Sequence, residues 1–185
     1  MGGWYLGDLN LCDEIIDFHK NSKDVKRGEI FKMNDGGKSS LDLTIKDSFD
    51  LSLLISPELT KKYVDELQQI INLYIEKYTY CNMQAPFGLS EKIVIQHYLP
   101  KGGYFDWHCE RGSKEPVISA RHLVFITYLN DVEDDGETEF FYQNLKIKPK
   151  KGLTVIFPAD WTFTHRGIPS KSQEKYIVTG WLNYL

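Results

Sequence analysis

The segment Tyr104-Phe105-Asp106-Trp107-His108-Cys109-Glu110 sets a histidine and a glutamate two positions apart in a stretch that reads as extended chain. Alternation in a strand sends residues i and i+2 to the same face, so both side chains can grip one metal ion. Asp106 falls on that face as well and competes as the carboxylate. A second histidine, His165, arrives more than fifty residues later in Trp161-Thr162-Phe163-Thr164-His165-Arg166-Gly167, as expected if a neighbouring strand closes the site. Two imidazoles and one carboxylate on one face of an octahedron leave three positions open for a chelating ligand and oxygen, the arrangement that non-haem Fe(II) oxygenation requires. Histidine and glutamate two apart occur often by chance, so the pair is weak by itself. Lys175 strengthens it, ten residues past His165, at the head of the run Tyr176-Ile177-Val178-Thr179-Gly180-Trp181-Leu182. A lysine pointing inward from so apolar a strand needs an anionic partner to offset its desolvation.

These residues must be positioned by a scaffold, and 185 residues with 42% hydrophobic and 14% aromatic content suffice for one domain with a real core. Apolar Leu11, Ile15, Ile16 and Phe18 fall near helical spacing and predict a first helix over Leu9 to His19. Ser56-Pro57-Glu58 offers an N-cap, a first-turn proline and an early acid. Tyr63, Leu67, Ile70, Ile71, Tyr74 and Ile75 then repeat at helical spacing and predict a long helix from about Pro57 to Lys77. Between them, Asn21 to Ser48, with its Asn34-Asp35-Gly36-Gly37 cluster, reads as turns and loops with short strands at most. After Pro86 come short β-rich runs: Lys92 to Leu99, Tyr104 to Glu110, His122 to Leu129, Glu139 to Ile147, Leu153 to Phe157 and Tyr176 to Leu182. Glycine- and proline-bearing turns separate them, which predicts an antiparallel sandwich or barrel with helices on one outer face, an α+β domain. The helical support is expected over about residues 1–85 and the β core over about 90–185.

With 22 basic against 26 acidic residues, the chain lacks the broad positive surface that a nucleic-acid partner would require. Three cysteines, Cys12, Cys81 and Cys109, with no CxxC pair, argue against a disulfide framework or a structural zinc site and fit a reducing cytoplasm. No basic start followed by a long apolar run suggests export, and no stretch of about 18 apolar residues predicts a membrane span. Leu6 stands where a myristoylation signal wants Ser or Thr.

The residues from about Lys92 to Leu185 resemble the 2-oxoglutarate and Fe(II)-dependent oxygenases, in the branch that contains prolyl 4-hydroxylases. The resemblance rests on the His108/Glu110 pair, a tyrosine ten positions before that histidine, Tyr128-Leu129-Asn130-Asp131, Gly136-Glu137-Thr138-Glu139-Phe140, Pro149-Lys150-Lys151-Gly152, Thr164-His165-Arg166-Gly167, and Lys175 ahead of Trp181-Leu182. It implies a double-stranded β-helix (jelly roll) of two antiparallel sheets flanked by helices. It makes His108, Glu110 and His165 the iron ligands, and Lys175 the partner of the distal 2-oxoglutarate carboxylate. Tyr98 matches a position whose hydroxyl contacts 2-oxoglutarate, and Thr127 lies near a second such position. Thr179, on the face of Lys175 by alternation, adds a further hydroxyl. The implied cofactors are Fe(II), 2-oxoglutarate as cosubstrate and O2, with ascorbate as an accessory. The implied reaction hydroxylates a C–H bond, foremost of a prolyl residue in a peptide or protein, with release of succinate and CO2. Two departures stand out: glutamate at 110 where relatives have aspartate, and Asp135 where the family often has glycine, expected to alter a loop near the substrate entrance.

Other residues have plainer readings. His97 and His122 read as structural or surface histidines, and His19 as a partner of its helix C-terminus. Cys109 is expected to be a packed thiol pointing away from the ligands, and Phe140-Phe141-Tyr142, Trp161 and Trp181 to be core. Arg166 is equally a structural ion pair or a substrate contact, and Lys146, Lys148, Lys150 and Lys151 a solvated face. Three alternatives to a prolyl hydroxylase remain at this stage: the same chemistry on another amino-acid or small-molecule substrate, a non-catalytic β-sandwich binding module, and a zinc hydrolase with the same ligand types.

Overall fold

The computed structural model describes residues 1–28 and 46–185, and the backbone of residues 31–33 and 39–41. The Asn34-to-Gly37 cluster lies outside the described residues. In chain order the strands are β1 (Gly2–Tyr5), β2 (Lys26–Arg27), β3 (Phe31–Met33), β4 (Ser39–Leu41), β5 (Phe49–Ser52), β6 (Phe87–Leu89), β7 (Val94–Tyr98), β8 (Arg121–Tyr128), β9 (Thr138–Phe140), β10 (Leu145–Ile147), β11 (Leu153–Pro158), β12 (His165–Gly167) and β13 (Lys175–Tyr184). The helices are α1 (Asn10–Asn21), α2 (Pro57–Lys77) and α3 (Pro116–Ser119).

The major sheet has the order β1-β11-β8-β13-β7-β5-β2, with β6 paired to the far end of β13, and the minor sheet the order β10-β9-β12. All the pairings are antiparallel. Strand alternation turns the major sheet into a partition. Leu123 and Phe125 of β8, Ile156 of β11 and Val178 of β13 face α1 and α2, in one core with Ile15, Tyr63, Leu67, Ile70 and Tyr74. Val124, Ile126 and Tyr128, Val155 and Phe157, and Ile177, one position out of phase, face the minor sheet with Phe140. The long helix runs where the Ser-Pro-Glu signal and the apolar spacing place it. Its cap is made by the Ser56 carbonyl, which accepts from the Thr60 amide at 2.9 Å, while the Ser56 hydroxyl makes no capping bond.

Three expectations change. The first half is more than helical support, since β1, β2 and β5 are strands of the major sheet; Gly2-Gly3-Trp4-Tyr5 pairs with β11 without any alternation to announce it. The run from Tyr104 to Glu110 is not a continuous strand, because it pairs only at Tyr104 with Lys46 and at His108 with His165. Past His108 the chain swings away, and the amides of Glu110 and Arg111 both donate to the Ala159 carbonyl at the end of β11, at 3.1 and 3.0 Å. The run from Glu139 to Ile147 is a hairpin, with Asn144 at φ 48° in its turn, a left-handed conformation that asparagine tolerates.

Gly180 sits directly across from Phe125 in the β13–β8 register, on the helix side. A Cβ there would come within 2.5 Å of Phe125 Cζ and 2.9 Å of Cε1, so the bare backbone is what lets that ring lie flat on the sheet. Gly180→Ala is therefore expected to destabilise the protein by about 1–3 kcal/mol through overpacking. Urea unfolding measures this; an unchanged midpoint would show that Phe125 has room to move.

Candidate functional site

His108 and His165 are brought together by two backbone hydrogen bonds, His108 N–H to the His165 carbonyl at 3.0 Å and the reverse at 2.9 Å. Residues paired in this way face each other, and the two rings are 4.4 Å apart. Each imidazole is then turned by its own chain: His108 Nδ1 bonds the Asp106 carbonyl at 2.9 Å and His165 Nδ1 the Phe163 carbonyl at 3.0 Å. A carbonyl can only accept, so both Nδ1 atoms carry the proton and both Nε2 lone pairs are left for another partner. Tyr104 stacks on the His108 ring at 3.7 Å and 10°, which fixes its plane.

Glu110 Oε1 lies 3.4 Å from His108 Nε2 and 3.6 Å from His165 Nε2. Cis ligands on bonds of about 2.1 Å stand about 3 Å apart, so Glu110 Oε1 needs little adjustment to share an ion with either imidazole, and all three ligand atoms lie within 4.8 Å of one another. His108, Glu110 and His165 form the metal-capable cluster of the described residues, whereas Asp106 is exposed and presents its main-chain carbonyl to His108 instead of a carboxylate to the cluster. Burial pushes the Glu110 carboxyl upward. The hydrogen bond and charge of His108, with the charges of His165 and Arg121, outweigh it and hold the group at about 2. Burial, and then the neighbouring His108, pull His165 down to about 4. Near neutral pH the set is thus one carboxylate and a neutral His165, the protonation states a divalent cation takes up.

The cluster lines a cavity of about 580 Å³ whose wall also includes Lys175, Tyr98, Thr179, Ile126, Ile177 and Tyr128. Lys175, paired across the sheet with Tyr98, is 4% exposed. Its ammonium donates to the Gly136 carbonyl at 2.9 Å, stands 5.0 Å from the centre of the Tyr98 ring, and among the described residues has no carboxylate in salt-bridge range. The Tyr98 hydroxyl donates to Gln96 Oε1 at 2.8 Å, and Thr179 Oγ1 to the Phe125 carbonyl at 3.0 Å.

Thr127 stands apart and corrects its assignment. It is fully buried on the helix side, where its hydroxyl bonds Tyr63 and Thr154, each at 2.7 Å. Period-two alternation is the reason, since its neighbours Ile126 and Tyr128 reach the cavity and Thr127 between them cannot. Asp135 holds φ at 77°, the left-handed region that suits glycine and that aspartate also tolerates, and presents its carboxylate to Lys171 at 2.8 Å.

Of the other side chains, some depart from their plain readings and some keep to them. Cys109 is half-buried and lines the cavity. Phe140 is core, but Phe141, Tyr142 and Trp161 are 56, 59 and 63% exposed. Trp181 lines the cavity and donates its indole N–H to Glu110 Oε2 at 3.0 Å, a role that an aromatic in an apolar run does not signal. His19 is buried, and its Nε2 bonds the Phe49 carbonyl at 3.0 Å instead of its own helix end. Arg166 pairs with Glu139 at 2.9 Å and lies over the Trp107 ring. His122 bonds the Cys81 carbonyl at 2.8 Å and His97 stacks on Tyr176, as structural histidines do.

Fold and site together define a double-stranded β-helix that presents two histidines and one carboxylate into a cavity containing a buried lysine. A family model described as the 2OG-Fe(II) oxygenase superfamily matches residues 93–183. Prolyl 4-hydroxylase 13 of Arabidopsis thaliana is 30% identical over 132 residues, 51% of this chain and 48% of that protein, so the chain spans about half the length of this curated relative. The viral collagen prolyl hydroxylase of Paramecium Bursaria Chlorella virus-1, solved with 2OG, has the same fold at a TM-score of 0.69 and 20% identity, over 100% of this chain and 96% of that one. A prolyl hydroxylase of Trichoplax adhaerens, solved with a hypoxia inducible factor peptide fragment, matches at 0.71 and 15% identity, over 99 and 84%. Residues 93–183 belong to the 2OG-Fe(II) oxygenase superfamily and are prolyl 4-hydroxylase-like.

Burial lowers the Lys175 ammonium from its ordinary 10.5 to about 8, against the upward pull of Glu137. Between those two values the folded chain has released a proton that the unfolded chain still holds, so the unfolding free energy rises with pH through that window. Below it the penalty for the buried charge is present in full. The rise is on the order of 3 kcal/mol, and Lys175→Met should abolish it. Urea unfolding of both proteins across that pH range tests this, and parallel pH profiles would refute it.

Proposed function

We propose that this chain is an Fe(II)- and 2-oxoglutarate-dependent dioxygenase that hydroxylates a C–H bond, foremost of a prolyl residue in a peptide or protein. The observation that carries the reading is Lys175, a buried ammonium with a carbonyl as its hydrogen-bond partner, in the same cavity as the His108, Glu110 and His165 cluster. A group that charged and that buried is completed by an anion, and a dicarboxylate that also chelates a metal uses both ends of the cavity.

In this reading His108 and His165 offer their Nε2 atoms and Glu110 its Oε1 to Fe(II). Lys175 holds the distal carboxylate of 2-oxoglutarate, with the Tyr98 and Thr179 hydroxyls on the same wall. Ile126, Ile177 and Tyr128 exclude water around it. The iron and its cosubstrate supply the oxidation of the C–H bond, releasing succinate and CO2. Ascorbate serves as accessory reductant. The protein binds and orients the reactants and keeps Glu110 ionised. Support for a peptide substrate comes from the prolyl 4-hydroxylase relatives and from the Trichoplax adhaerens enzyme, which was solved with a peptide.

Purified protein given Fe(II), 2-oxoglutarate and proline-containing peptides is expected to form succinate and a peptide one oxygen heavier at proline, in equal amounts. His165→Ala should lower the rate by more than about 100-fold. Succinate without oxidation of any proline peptide would move the substrate to another side chain or small molecule. Full turnover by His165→Ala would sink the assigned site.

A further inference from the structure

Glutamate at 110 carries one methylene more than an aspartate would, and so one more freely rotating bond to immobilise. The chain's departure from β12 just past His108 moves its backbone toward the end of β11, where the amides of residues 110 and 111 meet the Ala159 carbonyl. Around the side chain, two donors from different strands converge on one oxygen. Trp181 Nε1 on β13 donates to Oε2 at 3.0 Å and Arg121 Nη1 on β8 to the same atom at 3.3 Å. Arg121 Nη1 also reaches the main-chain carbonyl of Glu110 at 3.1 Å, so backbone and side chain are held by one group.

That guanidinium is itself fixed on two further sides. Glu91 takes it by two parallel bonds, Nε to Oε1 at 2.8 Å and Nη2 to Oε2 at 2.6 Å. Its plane lies 3.7 Å from the centre of the Trp181 ring. Asn183 Nδ2 steadies Glu91 Oε1 at 3.0 Å. Glu91 alone satisfies the guanidinium as an ion pair, so the further reach to Glu110, shared with an indole N–H, is not required to keep Arg121 buried. Its effect is directional: with Oε2 occupied twice, Oε1 is the oxygen left facing both Nε2 atoms.

We infer that Arg121 and Trp181 are positioning residues that fit this site to a glutamate ligand, holding Oε2 so that Glu110 offers a single oxygen to the metal. The inference rests on the metal-centre reading above. Mn(II) titration calorimetry without turnover tests it. Trp181→Phe, which keeps an aromatic ring and removes the donor, should weaken Mn(II) binding about 10-fold, the scale of outer-shell contacts. Glu110→Asp should weaken it too, and on that background Trp181→Phe should add less than about 2-fold, because the shorter acid no longer meets the indole. Thermal unfolding of each variant accompanies the titrations. If Trp181→Phe fails to fold, Arg121→Gln with Glu91→Gln removes the other donor while keeping the net charge, with the same expected pattern.

Unchanged Mn(II) affinity in folded Trp181→Phe would overturn the inference and leave the metal centre intact. So would an equal loss from Trp181→Phe whether or not Glu110→Asp is also present, which would mean that the indole does not act through residue 110. If the unaltered protein takes up no Mn(II), the metal-centre reading falls and takes the inference with it.

Discussion

Two peptide groups, those of His108 and His165, exchange N–H···O=C bonds and thereby set opposite each other two imidazoles more than fifty residues apart in sequence. Little else pairs this stretch of chain, since Phe105 to Trp107 lie between isolated bridges and Glu110 already bonds elsewhere. The local Nδ1 contacts matter because of it. A ring tied to its own chain two residues back is aimed, and two such rings on paired residues are aimed at one point. The minor sheet carries this bridge through β12 and β9, and the major sheet supplies the floor against which the ligands converge.

The major sheet keeps two chemistries apart at the thickness of one strand. On one side Phe125, Tyr63, Leu67 and Val178 make a dry core with α2, where even the hydroxyls of Tyr63, Thr127 and Thr154 are spent on one another. On the other side the same strands present Arg121, Trp181, Thr179 and Lys175 to the cavity. Ionisable groups half-buried against a stiff, well-packed backing lose less precision than they would on loops. Arg121 and Lys175 belong to strands buried along most of their length, which is what keeps donors at fixed distances from Glu110 and Gly136.

Much of this was legible because it is periodic. The 3.6-residue spacing of Tyr63, Leu67, Ile70 and Tyr74 marks α2, and its bounds agree with the proline and serine ahead of it. The spacing of His108, Glu110, His165 and Lys175 brought out the residues that the structure gathers around one cavity. What escaped has no period. Gly2 to Tyr5 forms a strand through tertiary pairing with β11 alone. Thr127 was misplaced by one position, which in a strand is a change of face. Trp181 reads as packing because an indole in an apolar run gives no sign of where its N–H ends, and Glu91, in the turn between β6 and β7, carries no signal because its partner lies thirty residues ahead on β8. Asp135 holds a left-handed backbone angle, which its residue type does not announce.

The buried ammonium of Lys175 has a consequence for the life of the molecule outside any reaction. Its charge is desolvated in the folded chain and fully hydrated in the unfolded one, so the charged form of this side chain weakens the fold. Any anion that paired with this ammonium in the folded chain and not in the unfolded one would raise the stability of the fold by mass action, as the logarithm of its concentration once the site is filled.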